Sequence, residues 1–314
     1  GEMHAKKICQ TYEMAVKVGA PVIGLLDSTG IRLQESVDAL DEIGSIYAKA
    51  ACASGIIPQL TAVFGSCGGG LSILTSISDF TFMETDAKLF INSADAIEGN
   101  CKETLDTASA AFQFEAGNVD GVGDEREILA RIRALISLIP GSNLQEGEVS
   151  EAADDLNRAS EGLDEKREKA GLFATEIADN YEFFETRAGF AGEMTTGFAR
   201  IGGITVGVFG NNQAAGDRNR GDQLTVNGAY KAADFVRFCD AFDIPLLSLT
   251  NVASYEASIY AEKALGQAVA RLTYALASAT VAKINVVMKR AVGTAYLAMN
   301  PKPIGADLTL ALPD

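Results

Sequence analysis

Two short segments have the composition of an anion-binding loop. Gly65-Ser66-Cys67-Gly68-Gly69-Gly70 follows the apolar run Leu60-Thr61-Ala62-Val63-Phe64, and Ala291-Val292-Gly293-Thr294-Ala295 follows Ile284-Asn285-Val286-Val287-Met288. In both cases a helical pattern restarts at once, over 70–76 and 295–299. Glycine lets backbone N–H groups come close to a ligand. A helix start adds unpaired N–H groups and the positive end of the helix dipole. Together these groups bind an oxyanion or a phosphate. A Gly-Gly-Gly run alone is equally at home in a tight turn packed against a helix, so the repetition is what favours a chemical role. The segments lack the Gly-Lys-Ser/Thr of a P-loop and the full G-x-G-x-x-G fingerprint, and no G-x-S-x-G elbow occurs in the chain.

Other chemistries are thinly supplied. His4 is the only histidine, which argues against a His-based triad or a multi-histidine site, and no metal is expected. The five cysteines are irregularly spaced with no C-x-x-C pair, against both a disulfide framework and a zinc site. A reducing cytoplasm is the expected compartment. Cys67, inside the first loop, reads as a small buried hydrophobe. The 26 basic and 42 acidic side chains leave a net charge of −16. That balance opposes nucleic acid and anionic lipid as partners, but backbone amides can still hold a small anion. No apolar run of about 18 residues is present to span a membrane.

The elements that must hold the two loops repeat with them. Lys-Val-Gly-Ala-Pro ends at Pro21 and Ala-Phe-Asp-Ile-Pro ends at Pro245, 224 residues later. At the same offset Ala5 meets Ala229, Lys7 meets Lys231, Leu60 meets Ile284, Val63 meets Val287 and Gly69 meets Gly293. An offset this long means two copies of one domain, since solenoid units are far shorter. Each copy opens with an amphipathic helix, carrying Ile8, Tyr12, Ala15 and Val16 in the first and Ala232, Phe235, Val236, Cys239 and Phe242 in the second. A continuous apolar strand follows, 22–26 and 246–249, whose pattern predicts burial on both faces of a parallel sheet. Next come a polar loop, a second helix (36–54 and 257–278), the strand before the glycine segment, the glycine segment itself and a further strand. Gly202-Gly203 is expected to turn a hairpin. Residues 146–169, with nine acidic and four basic side chains, read as a solvated linker or helix. The chain opens inside a helical pattern and ends at Pro313-Asp314 without a closing element, so flanking segments are expected.

The chain resembles the biotin-dependent acyl-CoA carboxyltransferases. That group spans the beta subunits of propionyl-CoA and acetyl-CoA carboxylases and the alpha subunits of methylmalonyl-CoA and glutaconyl-CoA decarboxylases. The likeness is carried by residues 1–8, 19–24 and 27–35, the Gly65–Gly70 segment, Ser78-Asp79-Phe80, residues 232–242 and Val292-Gly293-Thr294-Ala295-Tyr296-Leu297-Ala298-Met299. The Tyr-Leu-Ala-Met ending is most like the decarboxylase subunits. The resemblance implies an α/β chain with a tandem duplicated crotonase (ClpP/crotonase-like) fold, a β-β-α superhelix. Residues 1–140 are expected to form the acyl-CoA domain, 141–180 an acidic linker and 181–314 the biotin domain.

The implied activity moves a carboxyl group between biotin on a partner carrier protein and the α-carbon of an acyl-CoA. The resemblance places one oxyanion hole on Gly69 and Gly70 and the other on Thr294 and Ala295 with Gly293. Ser28, Thr29, Gly30, Arg32, Gly68, Tyr296 and Leu297 are the expected substrate-binding residues. Arg32 would meet a CoA phosphate or carboxylate, with a structural ion pair as the alternative, and Tyr296 would line the acyl pocket or simply pack. Implied partners are acyl-CoA, a biotin carboxyl carrier protein, a membrane decarboxylase subunit and further copies of the chain, as a homodimer or larger oligomer.

Departures from the family pattern cluster in the second half. Its Asp-Val-Pro-Gly-Phe stands as Asn251-Val252-Ala253-Ser254-Tyr255, its Arg-His-Gly-Ala-Lys as Gln267-Ala268-Val269-Ala270-Arg271 and its Gly-Gly-Ala-Tyr as Gly293-Thr294-Ala295-Tyr296. Leu297 stands where propionyl-CoA carboxylases have an acid. Two rival readings stay open: a noncatalytic paralogue, and a crotonase-type hydratase or hydrolase using Asp95 and Glu98.

Overall fold

In the computed structural model each apolar run is a strand of a β-α-β unit, and Pro21, Pro58 and Pro245 each mark a step from helix to strand. The structure describes all residues except 29, 31–32, 146–148, 150–153, 156, 161, 213–221 and 314. The chain divides into two units, Gly1–Gln145 and Glu146–Asp314.

The first unit contains α1 (Glu2–Val18), β1 (Val22–Ser28), α2 (Ser36–Ala53), β2 (Gln59–Gly68), α3 (Gly70–Ile77), β3 (Phe80–Glu84), β4 (Lys88–Phe90), α4 (Ala110–Glu115), β5 (Gly121–Gly123) and α5 (Glu125–Leu138). Its sheet has the order β1-β2-β3-β5, with β4 also paired to β2, and every pairing is parallel. Helices α1 and α2 close over one another through Ala5, Tyr12, Ala15, Ile46, Ala50 and Ala53. Of the expected stripe of α1, Tyr12 and Ala15 are buried and Ile8 is half-buried, but Val16 is exposed, and β1 departs from the expected burial on both faces. It is an edge strand, and Ile23 and Leu25 on one of its faces are 44% and 59% exposed.

The second unit contains α6 (Ala170–Ile177), β6 (Phe183–Thr186), β7 (Met194–Ile201), β8 (Ile204–Asn211), β9 (Gln223–Leu224), α7 (Val226–Ala241), β10 (Leu246–Val252), β11 (Ser254–Tyr255), α8 (Ile259–Ser278), β12 (Lys283–Ala291), α9 (Gly293–Leu297) and β13 (Leu308–Ala311). The main sheet has the order β13-β12-β10-β8-β7-β6. Strands β13, β12, β10 and β8 are parallel, whereas β7 and β6 join antiparallel. All of β10 is buried, as its apolar run predicts. Gly202 and Gly203, both at positive φ, turn β7 into β8, and Ile201 pairs with Ile204. The charged stretch, where described, is fastened to this unit: Arg158 stacks on Tyr181 and donates to the Glu176 and Ala178 carbonyls.

The duplication holds down to the ladder register. Val22 pairs with Gln59 and Ser28 with Cys67, with a shift after Leu26; Leu246 pairs with Lys283 and Val252 with Ala291, with a shift after Thr250. Every one of those positions differs by 224. The same device pins the next strand in each unit. Asp79 accepts the Gln59 N–H and returns its own N–H to the Gln59 carbonyl, and Asp307 does the same with Lys283.

Candidate active site

The first glycine segment is mostly strand. Gly65 to Gly68 continue β2, because β4 runs beside its end and pairs Ser66, Cys67 and Gly68 with Lys88, Leu89 and Phe90. Gly68 must be glycine because a Cβ there would stand 2.6 Å from the Phe90 ring. Only Gly69 lies between strand and helix. Its φ of 61° is in the left-handed region, where glycine is free of strain.

The expectation that Gly69 supplies an oxyanion donor is corrected. Its N–H donates to the Phe90 carbonyl at 3.0 Å, because the β2–β4 ladder reaches that far. Gly70 and Leu71 are the first two residues of α3, so their N–H groups have no acceptor within the helix. Ser72 N–H already turns back to the Gly69 carbonyl. The available donors of this loop are thus the 70 and 71 amides, one position further on than the sequence indicates.

Around them the structure gathers part of the expected set. Ser28, at the end of β1, pairs with Cys67, and its hydroxyl lies 3.4 Å from both N and O of Gly30. A Cβ on Gly30 would come within 3.7 Å of the Gly68 carbonyl. Ser28, Gly30 and Gly68 therefore meet at the carboxyl ends of β1 and β2, where an open parallel sheet binds ligands. A cavity of about 330 Å³ adjoins them, lined by Leu26, Asp27, Ser28, Gly30, Leu71 and Leu74 among others. Thr29 and Arg32 lie outside the described residues. Cys67 is fully buried, and burial pushes its thiol up to about 11, so it stays protonated and inert.

The second loop repeats the geometry. Gly293 has a φ of 60°, beside 61° at Gly69, and Gly293, Thr294 and Ala295 open α9. Their N–H groups also lack an acceptor within the helix. Gly293 and Thr294 are exposed, Ala295 is buried, Tyr296 is half-buried and Leu297 is 42% exposed. Val292 N–H is taken by the Val252 carbonyl, which ties the loop to the end of β10. Asp95 and Glu98 do not line the cavity beside Leu71, and the Asp95 carboxylate accepts the Lys102 N–H at 2.9 Å. Among the described residues no three His, Cys, Asp or Glu side chains converge on a metal position. No helix there is long and apolar enough to cross a membrane.

Two further residues were not legible as part of this site. The Tyr47 hydroxyl donates to the Gly70 carbonyl, and the Tyr255 hydroxyl donates to the Thr294 carbonyl at 2.8 Å. Both contacts are tertiary, and neither residue's spacing points to them. Away from the loops, Asp79 bonds Gln59 at the start of β2 and appears in the sequence only as part of a motif. Burial pushes its carboxyl up to about 6, helped by Asp120 and opposed by the Gln59 N–H.

The family model of the carboxyl transferase domain matches residues 1–314. The chain is 38% identical to a putative propionyl-CoA carboxylase beta chain of Bacillus subtilis (strain 168), across 100% of this chain and 63% of that protein. It is 35% identical to the methylmalonyl-CoA decarboxylase subunit alpha of Propionigenium modestum, across 100% of this chain and 62% of that one. The chain therefore spans a little under two thirds of the length of these relatives. Among solved structures, transcarboxylase 12S with hydrolysed methylmalonyl-coenzyme A bound superposes with a TM-score of 0.91 at 30% identity, covering 99% of this chain and 63% of that one. The crotonase-like fold expected from the sequence is thus the fold observed. With its duplicated parallel strand pairs and paired loops, this chain belongs to the carboxyl transferase family.

Proposed function

We propose that the chain is the carboxyltransferase component of a biotin-dependent carboxylase, decarboxylase or transcarboxylase, moving a carboxyl group between carrier-borne biotin and the α-carbon of an acyl-CoA. The observation that carries this reading is the repeated strand-glycine-helix turn, in a chain of this family, with first-turn amides presented at both copies. Acyl-CoA is assigned to the first unit and biotin to the second.

At the first loop the reaction develops negative charge on the thioester oxygen when the α-carbon exchanges a proton for a carboxyl group. The Gly70 and Leu71 N–H groups are the donors for that oxygen, and each such donor lowers the barrier by roughly 3 kcal/mol. The cavity lined by Ser28, Gly30 and Leu71 takes the acyl end. No side-chain nucleophile is required, which suits a chain with one histidine.

The second loop fits biotin by its donor chemistry. Thr294 and Ala295 offer backbone N–H to a neutral carbonyl oxygen, and exposed Gly293 has no atom within 4 Å of where a Cβ would stand. Biotin, when bound, supplies the carboxyl group in transferable form; the loop's part is to hold its carbonyl and orient it. Tyr296 and Leu297 stand beside that position.

The relatives' names extend the reading. A biotin carrier protein is the expected partner, and assembly into a homo-oligomer follows the hexamer described for transcarboxylase 12S. A membrane partner belongs to the decarboxylase version, in which the chain is cytoplasmic and docks at a membrane complex.

Calorimetry with a panel of CoA esters and carboxyl exchange with free biotin test the proposal. Binding of at least one ester together with exchange is expected. Absence of CoA binding by the folded protein overturns the reading, and binding without exchange favours the noncatalytic paralogue.

A further inference from the structure

We propose that Tyr47 and Tyr255 are positioning residues, each setting the peptide that donates to the ligand oxygen at its loop; the inference rests on the carboxyltransferase reading above. The two accepting carbonyls, Gly70 and Thr294, are 224 residues apart and so equivalent in the duplication. The two tyrosines are not equivalent. Tyr47 comes from α2 and Tyr255 from β11, and the position 224 beyond Tyr47 is Arg271, which packs over the Tyr230 ring at 5.2 Å instead. The position 224 before Tyr255 is Ile31. Two unrelated elements therefore bring a phenol to the same carbonyl.

That carbonyl has one peptide plane in common with the next residue's N–H: Gly70 with Leu71, and Thr294 with Ala295. The planar peptide fixes one end when the other is held. A hydrogen bond to the carbonyl oxygen also polarises the unit and makes its N–H a stronger donor. The carbonyl has two lone pairs, so it can take the phenol in addition to any bond within its helix. Sequence and structure agree at Gly70, where a Cβ would stand 3.2 Å from the Tyr47 oxygen. A larger residue there would press on the clamp. Burial raises the Tyr47 pKa and keeps the hydroxyl a donor.

The test uses Tyr47→Phe and Tyr255→Phe in the full-length protein, which keep the ring and delete the donor. In the ligand-free state, NMR is expected to show the Gly70 carbonyl and Leu71 amide shifts moving in the first variant, and those of Thr294 and Ala295 in the second. In carboxyl exchange, kcat is expected to fall roughly tenfold with KM for the CoA ester within twofold, the loss of one neutral hydrogen bond. Calorimetry supplies a readout independent of turnover: wild type prefers an acyl-CoA thioester over its thioether analogue, and Tyr47→Phe loses that preference. Unmoved shifts overturn the geometry. Moved shifts with kcat unchanged overturn the role in chemistry. A wild-type preference that Tyr47→Phe retains overturns the positioning alone, and a wild type with neither exchange nor preference overturns this inference and the function it rests on.

Discussion

At the first loop two adjacent glycines are required for different reasons, and their alanine variants separate those reasons. Gly69→Ala meets no neighbour, and its cost is the backbone alone: φ 61° with ψ −136° is a region that residues with a Cβ rarely enter, about 1–3 kcal/mol. Gly68→Ala drives a methyl into the Phe90 ring and is expected to cost about 1–3 kcal/mol as well, but with the β2–β4 pairing disturbed. Urea denaturation measures both costs, and the amide shifts of β4 should move only in the second variant. Asp79 adds a pH dependence. Its carboxyl is pushed up to about 6 in the folded state, from 3.8 in the unfolded chain. The native state then holds the proton more tightly, so this stabilisation is full below about pH 4 and is lost as pH rises through about 6. Asp79→Asn keeps an acceptor for Gln59 and is expected to flatten that loss by on the order of 2 kcal/mol, after allowance for partial exposure. Denaturation from pH 4 to 7, wild type against variant, is the measurement, and parallel curves would contradict it. The glycines were legible in the sequence because their composition is unusual. Which amides are free was not, since the Gly69–Phe90 bond depends on where β4 lies.

The elements were more legible than the contacts between them. Apolar runs of four or five residues after a proline marked β1 and β10, and the helical spacing of α7 matched its buried face, as that of α1 did except at exposed Val16. Gly202-Gly203 marked its hairpin. What pins that hairpin lies outside the local sequence: the Asp179 carboxylate accepts both turn amides, at 2.9 and 2.7 Å. These are charge-assisted bonds to a buried acid. Asp179→Ala leaves two turn amides without their acceptor and is expected to destabilise the second unit by about 2–4 kcal/mol. Thermal and urea unfolding measure it, and a change under about 0.5 kcal/mol would show that solvent serves the turn equally well. Composition misled in one place. The glycines of 65–68 read as loop, yet they remain strand because a parallel neighbour fills their hydrogen bonds.

Across the whole chain the duplication is the deepest regularity, and it makes the division of labour testable. The register of β1 on β2 recurs in β10 on β12, and the left-handed glycines at 69 and 293 recur within a degree. The surroundings of the two loops have diverged. Asp27 at the first stands against buried Asn251 at the second, and β1 is an edge strand where β10 is central. Equal turns in unequal settings suit the two different carbonyl ligands proposed for them. Proline is tolerated in the first turn of a helix and removes one N–H without changing a side-chain charge. Gly70→Pro deletes a donor at the first loop, proposed for acyl-CoA, and Thr294→Pro deletes one at the second, proposed for biotin. Both are expected to slow carboxyl transfer about 100-fold or more. Only Gly70→Pro should weaken the binding of a CoA thioester, about tenfold, whereas Thr294→Pro should leave it within twofold. Calorimetry with one ester on both variants, with circular dichroism to confirm folding, decides the matter. If Thr294→Pro loses the ester as well, the two loops serve one ligand and the assignment of acyl-CoA to the first unit fails.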